Sequence, residues 1–456
     1  MKKLTEGNIY KNFILFSIPL VLSGLLSAAY HTIDTAIAGR YLGEHGLAAI
    51  GATSSFITII SSIIWGYGTG FSVYIARLFG AGEIQKIKRG TVVHMINCAV
   101  VTLLVAVVSI LFHEPIFDLL KIEEGLRADA FRYFAIYLLG YAIMNTNTNC
   151  VFIMNAFGIS SFPFYMSVLS AILNVIGNIV TITVFGWGVT GVALATVFSA
   201  TVIAVCYLLR LRACFRKMDP ERKKFRWEQT ETRVALSYSI PTMLQQGSMY
   251  LAGLVLSPMI NKTGSAGIAA YVVTSQISGI LMTLFQSASR TVSNYSAQCL
   301  GGEYALEEKQ SKLRKGLWVG FLQSVVYTLP LLLVFVAFPH AISSIFLSEG
   351  STNETMRIAE FFIRVFLPFL IFKIVDNLFH SFFRGVKAMR LLVICTMFSS
   401  VVQIAASALL IPDFGINGYY AGMVISWVAE AIFVLLLYVT GVWRPAEWKD
   451  QSEASV

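Results

Sequence analysis

Asp34 lies within a long apolar stretch near the start of the sequence. A carboxylate in such surroundings costs about 3 kcal/mol to insert into a membrane, so its presence suggests a function. Asn174 and Asn178 are spaced i and i+4 in another apolar stretch, where a helix would carry both amides on one face, and Thr196 lies in the next stretch. These side chains offer hard oxygen donors, which suit Na⁺ or a network that takes up H⁺. We predict a cation-coupling site made of Asp34, Asn174, Asn178 and Thr196.

Five further polar residues lie in apolar stretches and are secondary candidates. Asn145 and Asn149 would share a helical face, and Lys373 and Asp376, spaced i and i+3, can neutralise each other. An active role for the Lys373–Asp376 pair is an equally open alternative. Glu430 lies near the middle of the last apolar stretch, where the sequence identifies no partner, and is therefore a candidate for protonation.

The first apolar stretch contains Pro19 as well as Asp34. Pro19 is matched later in the chain by Pro241, and each removes a backbone hydrogen bond, which is typical of a bending helix that forms a binding site. The alternative is a pair of tolerated kinks near helix starts.

For Asp34 the alternative is an interfacial side chain at a helix end. At 1.5 Å per residue, Asp34 lies about 13 Å outward of the midpoint of its apolar stretch.

The elements that must position these residues are transmembrane helices. Of the 456 residues, 56% are hydrophobic and 13% charged, and the mean hydropathy is +0.70, which excludes a soluble protein. Apolar runs of about 20 residues span a membrane and satisfy their backbone hydrogen bonds only as helices. We predict an all-α polytopic membrane protein with twelve transmembrane helices. The predicted spans are 13-38, 47-76, 91-112, 131-155, 162-184, 188-210, 235-260, 267-290, 316-338, 357-381, 390-411 and 416-440.

The distribution of Lys and Arg predicts the orientation of these helices. Most of the 34 basic residues fall in the amino terminus, the even-to-odd loops and the tail, which places both termini in the cytoplasm by the positive-inside rule. We therefore expect a multi-pass protein of the cytoplasmic membrane. The outer loops contain only Arg40, Lys121, Arg127, Lys262 and Arg357.

The second half of the chain repeats the first at slowly increasing offsets. One monotonic drift across every segment indicates a duplicated six-helix unit, whose copies cross the membrane in the same direction, as in many transporters. We predict an amino-terminal lobe at 1-210, a basic cytoplasmic linker at 211-232 and a carboxy-terminal lobe at 233-456. The matched segments include Ser17-Ile18-Pro19 with Ser239-Ile240-Pro241, Gly46-Leu47-Ala48-Ala49 with Gly267-Ile268-Ala269-Ala270, and Gly188-Val189-Thr190-Gly191 with Gly415-Ile416-Asn417-Gly418.

The duplication also provides a control for the predicted cation site. The positions that match its four members carry no such polar groups in the second copy, so the fold builds equivalent helices without them. This contrast favours a joint role for the four residues in the first copy. The matching residues are Leu256 or Val255, Val401, Ala405 and Met423.

Other sequence features argue against an enzyme. The six cysteines are scattered without a C-x-x-C pair, so we predict no disulfide framework and no metal beyond Na⁺ at Asp34. No nucleophile–base pair is recognisable, and we expect neither catalysis nor a cofactor. The net charge of +9 is explained by the loops rather than by nucleic acid. The apolar start could be mistaken for a cleaved signal peptide, but its second copy inside the chain argues for a retained helix.

Over nearly its whole length the sequence resembles the multidrug and toxic compound extrusion (MATE) transporters, in particular their bacterial DinF-like branch. The resemblance rests on the twelve-helix duplication together with four local motifs. These motifs are Ile18-Pro19, Asp34-Thr35 to Gly39, Leu47-Ala48-Ala49, and Asn174 followed by Gly188-Val189-Thr190-Gly191-Val192-Ala193-Leu194-Ala195-Thr196.

The resemblance implies a V-shaped pair of six-helix lobes that alternates between inward-facing and outward-facing states. It also implies that Asp34, Asn174, Asn178 and Thr196 form the amino-terminal cation site. Asn178 departs from the family pattern, because DinF-like members commonly have a second Asp there. With one carboxylate the site can exchange about one charge per cycle. The acidic residue that NorM-like members place in the seventh helix is also missing, and Met249 falls about there.

The expected function is secondary antiport, in which organic cations or drugs leave the cell in exchange for H⁺ or Na⁺. We expect a monomer whose partners are small-molecule cations and the lipid bilayer. A lipid or precursor flippase of the same broad superfamily is the alternative. Such a flippase would need a polar, charged cavity for head groups.

Overall fold

The computed structural model describes residues 3–219, 229–347, 352–444 and Trp448, and within these ranges the chain is helical throughout, without a strand. Residues 220–228 of the predicted linker lie outside the described residues. The α-helices are α1 Ile9–Ala81, α2 Ile84–Leu111, α3 His113–Leu119, α4 Glu124–Ala156, α5 Ser161–Ile179, α6 Gly188–Met218, α7 Gln229–Asn261, α8 Gly264–Gly301, α9 Leu306–Ala337, α10 Pro339–Phe346, α11 Asn353–Phe361, α12 Leu370–Gly385, α13 Met389–Phe414 and α14 Ile416–Val439.

The predicted spans all fall on these helices. In the described part of the chain, nine helical segments are long and apolar enough to cross a membrane by themselves. The other three predicted spans fall on α4, on α7 and on the broken helix from α11 to α12. In that broken helix a π-helical segment, Phe362–Phe366, and a 3₁₀ turn, Leu367–Phe369, interrupt the α-helix. The chain is thus an all-α polytopic membrane protein with the predicted twelve spans.

The first two spans are joined within α1, which is 73 residues long. Its two apolar segments are Ile9–Tyr30 and Ala36–Ala81. Gly43, with φ 67° and ψ −169°, interrupts the helical backbone. The left-handed φ is accessible to glycine without steric cost, so a reversal can occur without a conventional loop.

The chain divides into two compact units. One unit comprises Met1–Lys3 and Leu22–Met243, and the other comprises Leu4–Val21 and Leu244–Val456. This division differs from the lobes predicted at 1-210 and 233-456, because the first parts of α1 and α7 are assigned to opposite units. The lobe and linker boundaries drawn from the sequence stay a prediction.

Packing within each unit explains why the first parts of α1 and α7 are assigned to the opposite units. Phe13 and Phe16 belong to the hydrophobic core of the second unit, where the Phe13 ring packs edge-on against Tyr295 at 5.2 Å. In the first unit, the Tyr238 hydroxyl of α7 accepts a hydrogen bond from Arg77 at 3.1 Å. A Cβ on Gly70 would approach the Tyr238 carbonyl oxygen to 2.4 Å, so the missing side chain permits close helix packing.

The two matched prolines lie next to the boundaries between the units. Pro19 and Pro241 each precede by two residues the point at which α1 and α7 pass from one unit to the other. Both prolines are inside helices, as the sequence analysis places them, and each lacks the N–H needed for an i to i−4 bond.

Candidate functional site: a polar cluster in the first unit

Helices α5 and α6 approach closely because small residues face each other. A Cβ on Gly177 would lie 3.0 Å from the Cβ of Ala195, and a Cβ on Gly191 would lie 2.9 Å from the Cβ of Thr181. Only a hydrogen in place of these side chains allows the two backbones to come this near. After Ile179 the α5 helix widens into a π-helical turn, Val180–Val184, a feature common at functional sites.

The four predicted site residues lie together in a chain of hydrogen bonds. The Asn178 amide donates to Asp34 Oδ1 at 2.5 Å and to Asn174 Oδ1 at 2.8 Å. The Asn174 amide in turn donates to Thr196 Oγ1 at 3.0 Å. The Thr196 hydroxyl donates to the carbonyl oxygen of Val192 at 3.0 Å. The structure therefore brings Asp34, Asn178, Asn174 and Thr196 into one network inside the first unit.

The network leaves one buried acceptor unused. Asn174 and Asn178 are each only 1% exposed. Among the described residues, nothing donates a hydrogen bond to Asn178 Oδ1. The amide orientation is fixed by its neighbours, because the opposite orientation would set the carbonyl oxygen against the Asp34 carboxylate. A carboxylate beside an unpaired amide oxygen is an arrangement that can accept H⁺ or a small hard cation such as Na⁺.

Tyrosines near the carboxylate were missed by sequence reasoning. Tyr30 interacts with the Thr196 side chain, and Tyr30, Tyr133 and Tyr137 each interact electrostatically with Asp34. On α4 the Tyr133 and Tyr137 rings stack at 5.5 Å, and the Tyr137 and Tyr141 rings stack at 6.3 Å. The i, i+4 spacing of the last three tyrosines is the sequence signal that could have identified this stack.

Asn145 and Asn149 form a separate network in the same unit. Asn145 donates to Thr102 Oγ1 at 2.9 Å, and the Asn149 amide donates to Asn145 Oδ1 at 3.1 Å. Asn149 Oδ1 lies 2.9 Å from His94 Nε2, and the His94 ring stacks on Phe71 at 3.6 Å. Asn149 thus binds a buried histidine that sequence reasoning did not select, and Asn145 holds Asn149 in place.

The remaining secondary candidates meet in the second unit. Lys373 Nζ lies 3.2 Å from Glu430 Oε2 and 3.6 Å from Asp376 Oδ2. His380 Nε2 lies 2.9 Å from Glu430 Oε1. The partners of Glu430, which the sequence did not identify, are Lys373 and His380 on α12, distant in sequence. Asp376 is fully buried, and no described residue donates a hydrogen bond to its carboxylate.

A bundle of membrane-spanning helices that encloses a buried polar network is typical of membrane transporters. A family model described as MatE matches residues 19–180 and 241–409, once in each repeat. The matched residues make up more than half of the sequence, and the chain belongs to this family of multidrug efflux transporters.

Relatives of known description agree with this assignment. The probable multidrug resistance protein YoeA of Bacillus subtilis is 24% identical over 365 residues, which cover 78% of this chain and 77% of the relative. An FAD transporter of Shewanella oneidensis is 26% identical over 373 residues, 77% of each chain.

Solved structures share the fold. A crystal structure of an aspartate-to-asparagine mutant of the Vibrio cholerae MATE transporter VcmN superposes with a TM-score of 0.87 at 18% identity, and the match covers 95% of this chain and 97% of that one. At this level of identity the likeness establishes the architecture alone.

Proposed function

We propose that this protein is a secondary antiporter that exports organic cations across the cytoplasmic membrane in exchange for H⁺ or Na⁺. The observation that carries the proposal is the buried chain from Asp34 through Asn178 and Asn174 to Thr196. It offers one carboxylate and one unused amide oxygen to an incoming cation. The membership of the MatE family and the relatives named for multidrug resistance support export of small molecules.

Coupling requires that the cation and the substrate bind the two access states differently. In the proposed cycle, Asp34 takes up the cation from outside, and its charge is then neutralised. Neutralisation weakens the attraction of Asp34 for the Asn178 amide, since a hydrogen bond to a charged acceptor is about twice as strong as one between neutral groups. Release of the cation to the inside restores the charge and the hydrogen bond.

The stacked tyrosines Tyr133, Tyr137 and Tyr141 support an aromatic organic cation as the substrate. Aromatic rings attract cations through the ring quadrupole, and they pack against planar molecules in offset or edge-to-face arrangements. In the proposed cycle the substrate binds near these tyrosines and is displaced when the cation enters at Asp34.

The relatives also suggest a second substrate class. One of them is named an FAD transporter, and export of a flavin nucleotide is therefore the second candidate activity. The tyrosine stack suits the flat flavin ring as well as a flat cation. The lipid or precursor flippase considered from the sequence is the remaining alternative.

Transport in proteoliposomes tests the proposal. Purified protein is reconstituted, and movement of a fluorescent organic cation is followed under a pH gradient, a Na⁺ gradient or neither. We expect one gradient to drive transport and Asp34→Asn to abolish the driven component while substrate binding persists. The control Asp413→Asn removes an exposed carboxylate from the end of α13 and is expected to transport normally.

Two results would overturn the proposal. Robust gradient-driven export by Asp34→Asn would reject the assignment of the coupling site. Gradient-independent movement of FAD or of a labelled phospholipid, with no movement of the organic cation, would reject cation antiport.

A further inference from the structure

A cavity of about 400 Å³ lies between the beginning of α2 and the end of α6, away from the polar network around Asp34. Its walls are single helical faces. On α2 they include Lys88, Val92 and Met95, spaced by four and three residues, and on α6 they include Leu208 and Arg212. The cavity is therefore a groove between two membrane-spanning helices rather than an irregular surface depression.

The groove has a charged end and an apolar end. Lys88, Arg212 and Arg216 bring three positive charges to its lining, against one carboxylate from Asp219. Deeper along the same helices the lining is apolar, and there Val92 and Leu208 are exposed on the protein surface.

Asp219 holds Lys88 in position but does not neutralise all three of these cations. Its carboxylate accepts hydrogen bonds from Lys88 Nζ at 2.5 Å and from Gln85 Nε2 at 3.0 Å. Asp219 is buried and Lys88 is about one quarter exposed, whereas Arg212 and Arg216 are exposed at the groove mouth. The groove keeps an excess of two positive charges where the helices leave the apolar layer.

The equivalent positions in the second repeat carry different side chains. With the offset of 227 that aligns the last helices of the repeats, Arg212 and Arg216 correspond to Val439 and Trp443. The Trp443 ring stacks on Tyr438 at 5.6 Å and belongs to a buried core. The fold thus fills this position with aromatic rings in one repeat and leaves a basic groove in the other.

We propose that the α2–α6 groove is a binding site for an anionic phospholipid of the surrounding leaflet. The phosphate lies against Lys88, Arg212 and Arg216, and an acyl chain runs along Val92, Met95 and Leu208. Charge complementarity and the apolar wall that continues from the basic mouth both favour a lipid over a free ion. Guanidinium groups bind phosphate oxygens in a bidentate manner, which suits Arg at two neighbouring helical turns.

Native mass spectrometry of the full-length protein with added dioleoyl phosphatidylglycerol tests this site. We expect Arg212→Gln/Arg216→Gln to bind the lipid roughly 25-fold more weakly, since each cation near a head group contributes about a fivefold factor. The matched control Arg314→Gln/Lys315→Gln removes two exposed cations from α9 in the second repeat and is expected to bind normally. Dioleoyl phosphatidylcholine, which has no net charge, is expected to bind poorly to every form.

Two further arms distinguish a charge-based lipid site from a loss of helix packing and from a free-anion site. Arg212→Lys/Arg216→Lys keeps both charges and is expected to retain most of the affinity, whereas an equal loss in the Lys and Gln pairs would reject a charge-based site. Inorganic phosphate in excess is expected to leave the lipid bound, and its displacement of the lipid would indicate a free-anion site instead. Equal phosphatidylglycerol binding by wild type and the Gln pair would overturn the proposal, and none of these readouts depends on transport.

Discussion

Asn178 occupies the position that decides the charge of the proposed cation site. Its amide donates to both Asp34 and Asn174, so it organises the network without adding a charge. With Asp34 as its carboxylate, the network can change by about one charge when it binds H⁺ or Na⁺. An aspartate at 178 would place a second carboxylate within hydrogen-bond distance of the first, and two such groups cannot both ionise easily.

Asn178→Asp is therefore expected to change the coupling ratio. One of the two carboxylates would hold a proton near neutral pH, and a second exchangeable charge would become available. We expect more charge to move per exported substrate, with steeper dependence on pH. The coupling ratio can be measured in proteoliposomes. It follows from the membrane potential that balances a known substrate gradient, so that net transport stops.

The double variant Asp34→Asn/Asn178→Asp is the matched control for this prediction. It keeps a single carboxylate in the same network but moves it from α1 to α5. We expect its coupling ratio to return to the wild-type value. An unchanged ratio in Asn178→Asp would contradict the prediction, because it would mean that a carboxylate at position 178 adds no exchangeable charge.

At the residue scale, sequence reasoning found what local spacing can reveal. The i, i+4 relation placed Asn174 and Asn178 on one face, and the repeat distinguished polar from apolar copies of the same helix. It did not find that Glu430 pairs with Lys373, because that contact joins α14 to α12 across 57 positions. It also missed Tyr133 and Tyr137, since tyrosines are ordinary in membrane helices and only their proximity to Asp34 makes them notable.

At the scale of helices, the glycines of α5 and α6 determine whether the polar side chains can meet. Asn174 reaches Thr196 only because Gly177 and Gly191 allow the two backbones to approach. The geometry of the proposed site therefore depends on residues that carry no polar group.

Gly191→Ala is expected to destabilise the protein by about 1–3 kcal/mol, because its Cβ would overlap Thr181 on two atoms at 2.9 Å. The separation of α5 from α6 should also weaken the hydrogen bond from Asn174 to Thr196 and reduce coupled transport. Thermal unfolding in detergent and the proteoliposome assay measure the two effects.

Gly279→Ala is the control, since a Cβ there meets no atom within 4 Å. We expect this variant to be as stable as wild type or more stable by up to about 1 kcal/mol, because alanine is the better helix former. Equal stability of Gly191→Ala and Gly279→Ala would contradict the role assigned to close packing.

The helices themselves were predictable because long apolar runs have one solution in a membrane. The ends of the helices were harder to predict. The two predicted spans on either side of Gly43 belong to one long helix, α1. Hydropathy separates these spans by composition alone and does not predict how they are connected. Between α11 and α12 the π-helical and 3₁₀ segments lie around Pro368, which has no backbone N–H for an i to i−4 bond, and hydrophobic patterning does not predict them.

At the scale of the whole molecule, the duplication has a functional asymmetry. The first repeat carries the proposed cation site and the basic groove, whereas the second contains the Lys373–Glu430 ion pair and an aromatic core near Trp443. The two repeats therefore share an architecture but differ in the chemistry that each offers.

The predicted orientation can be tested with single cysteines. Lys121 and Glu303 are exposed, and they lie in loops that are predicted to face opposite sides of the membrane. We expect a membrane-impermeant maleimide to label Lys121→Cys in intact cells and Glu303→Cys only after permeabilisation, because the positive-inside rule places residue 121 outside. Wild type, whose six cysteines are buried or only partly exposed, provides the background. The reverse labelling pattern would invert the topology.

The exchange of helical segments between units has a consequence for biosynthesis. Leu4–Val21 leaves the ribosome before the rest of its unit, since side chains that pack against Phe13, including Tyr295, are synthesised nearly three hundred residues later. At 5–20 residues per second this interval is roughly 15–60 s. During that time the first segment resides in the bilayer without its permanent neighbours. The newborn chain must therefore tolerate an early helix whose amino-terminal part is held by lipid or by the insertion machinery until Tyr295 and its neighbours have been synthesised.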